Sequence, residues 1–149
     1  MVKHYSNFNI QKKHKASIVL IGNFDGLHQG HQKLFKLAQS YKKKYNLKIG
    51  VINFDPMPKM FFNEKLKNFR LSNVEQKIKF LSKFKVDFVI TKKFDKKFSK
   101  TKALNFIAEI LNKKLNSKFI FVSNNFRFGN KREGNVNLLI ENEKTYNYK

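Results

Sequence analysis

Cysteine is absent from this 149-residue chain, which excludes a disulfide framework and a thiolate metal site. Acidic residues are scarce, because ten Asp and Glu stand against 32 Lys and Arg and give a formal net charge of +22. No stretch approaches the ~20 apolar residues of a membrane-spanning helix, and residues 1–15 lack the apolar run of a signal peptide. We therefore expect a cytoplasmic protein that does not contact a membrane.

The apolar and aromatic content argues against a disordered chain. Hydrophobic residues make up 41% of the sequence and aromatic residues 15%, enough surface to bury on folding. The length suits one domain, and there is no internal repeat or low-complexity linker. We expect residues 1–149 to form a single globular domain.

The excess of positive charge has two interpretations. Such a surface attracts anions, among them nucleic acid, acidic lipid and small polyphosphates. The basic residues are spread through every segment and do not form one block. We favour the second interpretation, that the abundance of Lys, Asn, Phe and Ile, which share AT-rich codons, is the main cause of the charge. The charge alone therefore does not assign a function.

Short β-branched or aromatic runs alternate with segments of helical periodicity. The runs predict strands at 16–21, 48–54, 86–90 and 119–122. Apolar spacing predicts helices around Leu34–Tyr41, after Ser72 as a capping residue, after Thr101 as a second capping residue, and near Val136–Ile140. Four such alternations predict an α/β fold, a Rossmann-like parallel sheet with helices on both faces.

In a sheet of this kind, ligands bind beyond the carboxyl ends of the strands. We therefore expect the loops that follow Ile21, Phe54 and Val122 to share one cleft. The loop after Ile21 carries most of the chemistry, since Gly22, Gly26 and Gly30 permit tight turns and a close approach of phosphate to the backbone.

Two histidines, His28 and His31, flank Gly30 where the loop opens a predicted helix. Imidazoles in that position could donate hydrogen bonds to oxygens that gain charge during phosphoryl transfer. A zinc site is disfavoured because no third ligand has suitable spacing. His4 and His14 are interpreted as polar surface residues.

The order strand, Gly-Asn-Phe-Asp-Gly-x-His-x-Gly-His, helix resembles the bacterial bifunctional riboflavin kinase/FAD synthetase family, in its N-terminal FMN adenylyltransferase domain. Other segments resemble that family in the same order, over roughly residues 16–140. They are Phe54-Asp-Pro-Met-Pro58, Arg70-Leu-Ser with Glu75 and Lys77, Val86-Asp-Phe-Val, Phe94-Asp95, and Asn125-Phe-Arg-Phe-Gly129 with Arg132 and Gly134.

The resemblance implies an enzyme that transfers AMP from ATP to FMN, with Mg²⁺ accompanying the nucleotide and FAD as product. It implies catalytic roles for His28 and His31. It also implies two sets of binding residues. Those for ATP are Gly22, Asn23, Phe24, Asp25, Gly26, Gly30 and Asn125, and those for the flavin are Phe54, Asp55, Pro58, Phe126 and Phe128.

The sequence departs from the family pattern at Met57, where the family usually has His, and at Ser123, where it usually has Gly. The chain also ends before the family's Ile-Ser-Ser-Thr-x-x-Arg segment and contains no riboflavin kinase domain. We therefore expect a C-terminally truncated domain of a longer fused protein, or a naturally short relative. An extended version should bind ATP more tightly, because that segment supplies phosphate contacts.

Three alternatives stay open at this point. The chain could hold nucleotide or flavin with little turnover, it could be a basic nucleic-acid-associated protein, or it could transfer a nucleotide to another acceptor. The absence of a recognisable RNA-binding motif disfavours the second alternative. The Asn125–Gly129 segment favours the flavin enzyme over the third.

Overall fold

The computed structural model describes residues 2–24, 29–62 and 74–149, apart from the side chains of residues 29, 30, 59, 60 and 74. In these ranges five strands form one sheet in the order β1-β4-β3-β2-β5, and every neighbouring pair is parallel. The strands are β1 (Lys3–Tyr5), β2 (Ile18–Ile21), β3 (Ile49–Asp55), β4 (Phe88–Lys93) and β5 (Phe119–Phe121). The predicted parallel α/β sheet is confirmed.

Helices connect the strands. They are α1 (Gln29–Tyr45), α2 (Pro58–Phe62), α3 (Val74–Ser82), α4 (Lys96–Ser99), α5 (Ala103–Asn105), a π-helix (Phe106–Lys114), α6 (Val136–Glu141) and α7 (Glu143–Tyr146). A single turn of 3₁₀-helix lies at Lys12–His14, and Asn130–Arg132 form a tight turn in which Lys131 and Arg132 have positive φ. The predicted capping residue Ser72 lies outside the described residues.

Alternate residues of the strands face two hydrophobic cores. Ile18, Leu20, Ile49 and Val51 pack with Phe35 and Ala38 of α1 and Leu81 of α3. On the other face, Val19, Ile21, Ile52 and Ile90 pack with the apolar side of the π-helix. Strands that are buried on both faces appear in the sequence as continuous apolar runs. For this reason β2 and β3 could be predicted from the sequence.

One strand, β1, was missed. It has three residues, Lys3, His4 and Tyr5, and only Tyr5 is buried. It pairs with β4 alone at the edge of the sheet. An edge strand this short has no apolar alternation to detect, and its position depends on tertiary pairing.

The helix predicted after Thr101 also differs from the expectation. Lys102 stands at the N-cap of α5, and its side chain makes no capping hydrogen bond. The amide of Ala103 instead donates to Oε1 of Glu133 at 2.8 Å. From Phe106 the turns widen, and the amide of Leu115 donates to the carbonyl of Ile110 at 3.0 Å, five residues back. Thr101 is therefore not the capping residue, because a carboxylate distant in sequence takes that role.

The interpretation of His14 as a surface residue is wrong. Its exposure is 5%, its Nδ1 lies 2.7 Å from the hydroxyl of Tyr5, and its ring stacks on Phe88 with centroids 4.8 Å apart. The hydroxyl of Tyr5 also accepts the amide of Gln11 at 3.1 Å, so the phenolic proton is available for His14. These contacts of His14 hold the segment after β1 against the sheet. His4 is exposed and contacts Thr91.

Burial lowers the pKa of His14 below its ordinary value of 6.5, and Lys13 lowers it further, while Asp87 acts in the opposite direction. The unfolded chain then binds a proton more readily than the folded one, so stability is full above pH 6.5 and falls as the pH drops toward the folded pKa. We expect the urea midpoint to decrease between pH 7.5 and pH 5.5.

His14→Gln, which does not titrate, should flatten this pH dependence. Burial also lowers the pKa of His4, so His4→Gln should remove the contribution of His4 and leave that of His14. Equal slopes in the wild type and His14→Gln would contradict the assignment.

Candidate functional site

The loops at the carboxyl ends of the strands enclose a cavity of about 690 Å³. Gly22 and Asn23 follow β2, Phe54 and Pro58 come from the end of β3 and the start of α2, and Phe126 lies beyond β5. The three loops that were predicted to share one cleft therefore do so. This is the position at which parallel sheets bind ligands.

The loop after β2 is tied to β3 by backbone and side-chain contacts. The amide of Gly22 donates to the carbonyl of Ile52 at 3.0 Å, which extends the sheet by one residue. Oδ1 of Asn23 then lies 3.5 Å from the amide of Phe54, a long contact. These bonds hold the first wall of the cavity beside the second.

Phenylalanine rings form much of the cavity wall. Phe126 and Phe128 stack almost parallel, with centroids 5.4 Å apart and an interplanar angle of 15°. Phe128 is buried in the core and also contacts Phe106, while Phe126 is half-buried. Both rings line the cavity and also pack in or against the core, and their predicted flavin-binding role stays a prediction.

Several lining residues were not singled out from the sequence. A chain of ring contacts joins Phe54 to Phe94 at 5.9 Å and to Phe98 at 5.5 Å, and Phe98 to Phe106 at 6.5 Å. The signal that could have identified Phe94 and Phe98 was their i, i+4 spacing, with Phe94 just before α4 and Phe98 within it. Further lining residues missed in this way are Phe62, Ser99, Thr101, Gly129 and Lys131.

Three cations lie on the same wall, Arg127, Lys131 and Arg132. All three are exposed residues of the segment between β5 and α6. The cavity thus pairs an aromatic interior with a cationic side, a combination that suits a flat ring carrying a phosphate.

Other predicted site residues lie elsewhere or outside the described residues. Phe24 is buried against Phe35 and His31, with ring centroids 5.2 Å and 5.1 Å away. Gly30 and His31 lie in the first turn of α1. Asp25, Gly26 and His28 are outside the described residues.

Asn125 is exposed and accepts the hydroxyl of Ser123 at 2.9 Å. The carbonyl of Asp55 accepts the amide of Phe94 at 3.0 Å. Neither Asn125 nor Asp55 is among the described residues that line the cavity. Their predicted binding roles stay predictions.

The described residues show neither a cluster of metal ligands nor a membrane-spanning helix. No group of three or more His, Asp or Glu side chains in residues 2–24, 29–62 and 74–149 is placed to hold a metal ion. Within the same ranges, no helix is both long and apolar enough to cross a membrane.

Comparison with known proteins gives consistent matches. The sequence profile of the FAD synthetase family matches residues 10–149. The bifunctional riboflavin kinase/FMN adenylyltransferase of Buchnera aphidicola subsp. Schizaphis graminum is 44% identical over 95% of this chain, and that of Escherichia coli K12 is 38% identical over 87%. The chain spans 45% and 41% of the length of these relatives.

A solved structure has the same fold. The crystal structure titled as a macrolide-efflux protein from Streptococcus pneumoniae matches with a TM-score of 0.80 and 26% identity, over 98% of this chain and 55% of that one. The α/β architecture that surrounds the cavity is therefore shared with a known protein.

Proposed function

Because the chain belongs to the FAD synthetase family, we propose that it is an FMN adenylyltransferase, which transfers AMP from ATP to FMN and releases pyrophosphate. One observation supports this above the others. A single cavity at the strand ends gathers Gly22 and Asn23 after β2, Phe54 and Pro58 after β3, and the ring pair Phe126 and Phe128. A phosphate-binding loop and an aromatic wall in one cavity suit a flavin nucleotide and ATP.

In this proposal a phosphate oxygen of FMN attacks the α-phosphorus of ATP in line, and pyrophosphate leaves from the opposite side. No covalent intermediate with the protein is formed. Catalysis then consists of positioning the two substrates and stabilising the charge on the phosphate oxygens. His28 and His31 donate hydrogen bonds to those oxygens in the transition state.

The nucleotide enters as its Mg²⁺ complex, with the ion held by phosphate oxygens as part of the substrate. The loop Gly22–Gly26, Gly30 and Asn125 hold the ATP. Phe126 and Phe128 contact the flat isoalloxazine ring, and Phe54, Asp55 and Pro58 complete the flavin site. The two substrates, ATP and FMN, meet in the cytoplasm.

The test is a coupled assay in which FMN and Mg²⁺-ATP give FAD, run beside an assay for riboflavin phosphorylation. FAD formation without riboflavin phosphorylation is the expected result. Binding of both substrates without product would support the alternative of a binding module with little turnover. Failure to bind either substrate would contradict both.

The positive charge is proposed to serve small anions and solubility. We expect DNA and RNA to bind weakly, with an affinity that falls steeply as salt increases, because counterion release would be the driving force. The measurement is a salt titration of binding to a random-sequence duplex and to single-stranded RNA. Sequence-selective binding that persists at physiological salt would contradict this.

A further inference from the structure

The segment between Phe128 and Gly134 forms a closed loop at the cavity. The amide of Gly134 donates to the carbonyl of Phe128 at 2.7 Å, and the amide of Phe128 donates to the carbonyl of Gly134 at 3.2 Å. The loop between them, residues 129–133, carries Lys131 and Arg132, which line the cavity wall.

This loop adopts an unfavourable backbone conformation. Lys131 has φ 53° and ψ 29°, and Arg132 has φ 57°. Two consecutive residues with side chains rarely occupy this left-handed region, and they persist there only when surrounding contacts enforce it. The loop must therefore be held from outside.

The start of α5 provides those contacts. The amide of Asn130 donates to the carbonyl of Thr101 at 2.7 Å, and Oε1 of Glu133 accepts the amide of Ala103 at 2.8 Å. The backbone of Gly129 also lies against Ala103, since a Cβ added at Gly129 would be 2.7 Å from the Ala103 Cα. The loop and the helix start thus exchange hydrogen bonds in both directions.

Glu133 contacts the Ala103 amide through its side chain, and this contact also supplies the cap that Lys102 does not. A carboxylate at a helix start satisfies a backbone amide and complements the helix dipole. Its removal would free one end of the loop while leaving the cavity's aromatic wall in place.

We propose that Glu133 is a positioning residue: by capping α5 it fixes the left-handed turn at Lys131 and Arg132, so that their side chains bind a phosphate group of a substrate in the cavity. This inference rests on the proposed function for the identity of the substrates, FMN and ATP. The bound group is a phosphate of one of them, and the experiment distinguishes the two sources.

The experiment compares the affinity of each phosphate-bearing ligand with that of its phosphate-free counterpart, FMN with riboflavin and ATP with adenosine. Glu133→Ala should weaken binding of FMN or of ATP by about tenfold, the size expected for one charge-assisted hydrogen bond. The affinity for the phosphate-free counterpart of that ligand should stay within about twofold of the wild-type value. Loss for FMN alone identifies the flavin phosphate, and loss for ATP alone identifies the nucleotide phosphates.

Four further variants separate positioning from a general structural effect. Glu133→Gln keeps an oxygen that can accept the Ala103 amide and should restore most of the affinity. Arg132→Gln should reproduce the phosphate-dependent loss, and adding Glu133→Ala to it should cost little more, because both changes act on the same contact. Glu141→Ala, at an exposed position on α6, should have no effect.

The inference is overturned if Glu133→Ala binds all four ligands as the wild type does. It is equally overturned if the variant loses phosphate-bearing and phosphate-free ligands alike, or if the effects of Glu133→Ala and Arg132→Gln simply add. If Glu133→Ala does not fold, the affinities of Arg132→Gln and Glu133→Gln test the inference instead. Wild-type affinity for FMN and ATP in Arg132→Gln would contradict the inference. A wild type that binds both phosphorylated ligands but makes no FAD contradicts only the proposed reaction.

Discussion

Replacing His31 by alanine should lower the rate of FAD formation by about 10²–10³-fold, the usual cost of losing one donor to an oxygen that gains charge in the transition state. His31 lies in the first turn of α1, where the helix dipole favours anions. A donor that acts mainly on developing charge changes turnover more than ground-state binding. ATP affinity should therefore stay within a few fold of the wild-type value.

The same result is expected for His28→Ala. Single-turnover rates and ATP affinity are measured side by side, with His4→Ala as the control because His4 is exposed on the edge strand β1. Turnover within a few fold of the wild type in either site variant would show that the substituted histidine is not catalytic.

The second large effect is expected at the ring pair that lines the cavity. Phe128 is 8% exposed and packs in the core against Phe106, so Phe128→Ala should reduce the free energy of unfolding by about 3–5 kcal/mol. That is a large fraction of the about 5–15 kcal/mol typical of a single domain. Urea denaturation measures it.

Phe126 is half-buried in the same wall, so Phe126→Ala should destabilise the fold less than Phe128→Ala. Stacking of a base on an aromatic ring contributes about 1–3 kcal/mol, so the KM for FMN should rise about tenfold. Phe80→Ala, at a ring that is 47% exposed on α3, is the matched control and should change neither quantity. An unchanged KM for FMN in Phe126→Ala would remove this ring from the flavin site.

The central features of the fold were predictable because they depend on burial. Strands β2 and β3 are buried on both faces of the sheet. Because β2 consists entirely of apolar residues, the sequence predicts it as a buried strand. The glycine-rich loop after β2 was predictable because glycine and histidine residues rarely occur in that order without a functional role. The meeting of three loops in one cavity followed from the parallel sheet itself.

Features that depend on contacts between distant residues were not predictable. β1 forms because Tyr5 is buried and bonds to His14, nine residues away, against Phe88 of β4. The cap of α5 comes from Glu133, thirty residues further along the chain. Pairings between distant residues leave no periodic pattern in the sequence. The sequence predicted the nearby Thr101 as the capping residue, and Thr101 does not take that role.

The aromatic wall was only partly predicted for a similar reason. Phe126 and Phe128 were assigned to the flavin site through a recognised segment. Phe94 also stands in a recognised segment but was given no role, and Phe98 and Phe106 lie in two other elements. A chain with 17 phenylalanines offers many candidates of equal merit. Only the folded sheet shows which of them converge.

The proposed reaction is tested most directly by following the label from ATP into the flavin. The protein is incubated with FMN and ATP labelled either at the α-phosphate or at the γ-phosphate, and the flavin and pyrophosphate products are separated. Adenylyl transfer predicts that the α-label appears in FAD and the γ-label only in pyrophosphate. Transfer of the γ-label to the flavin, or no labelled flavin from either nucleotide, would contradict it.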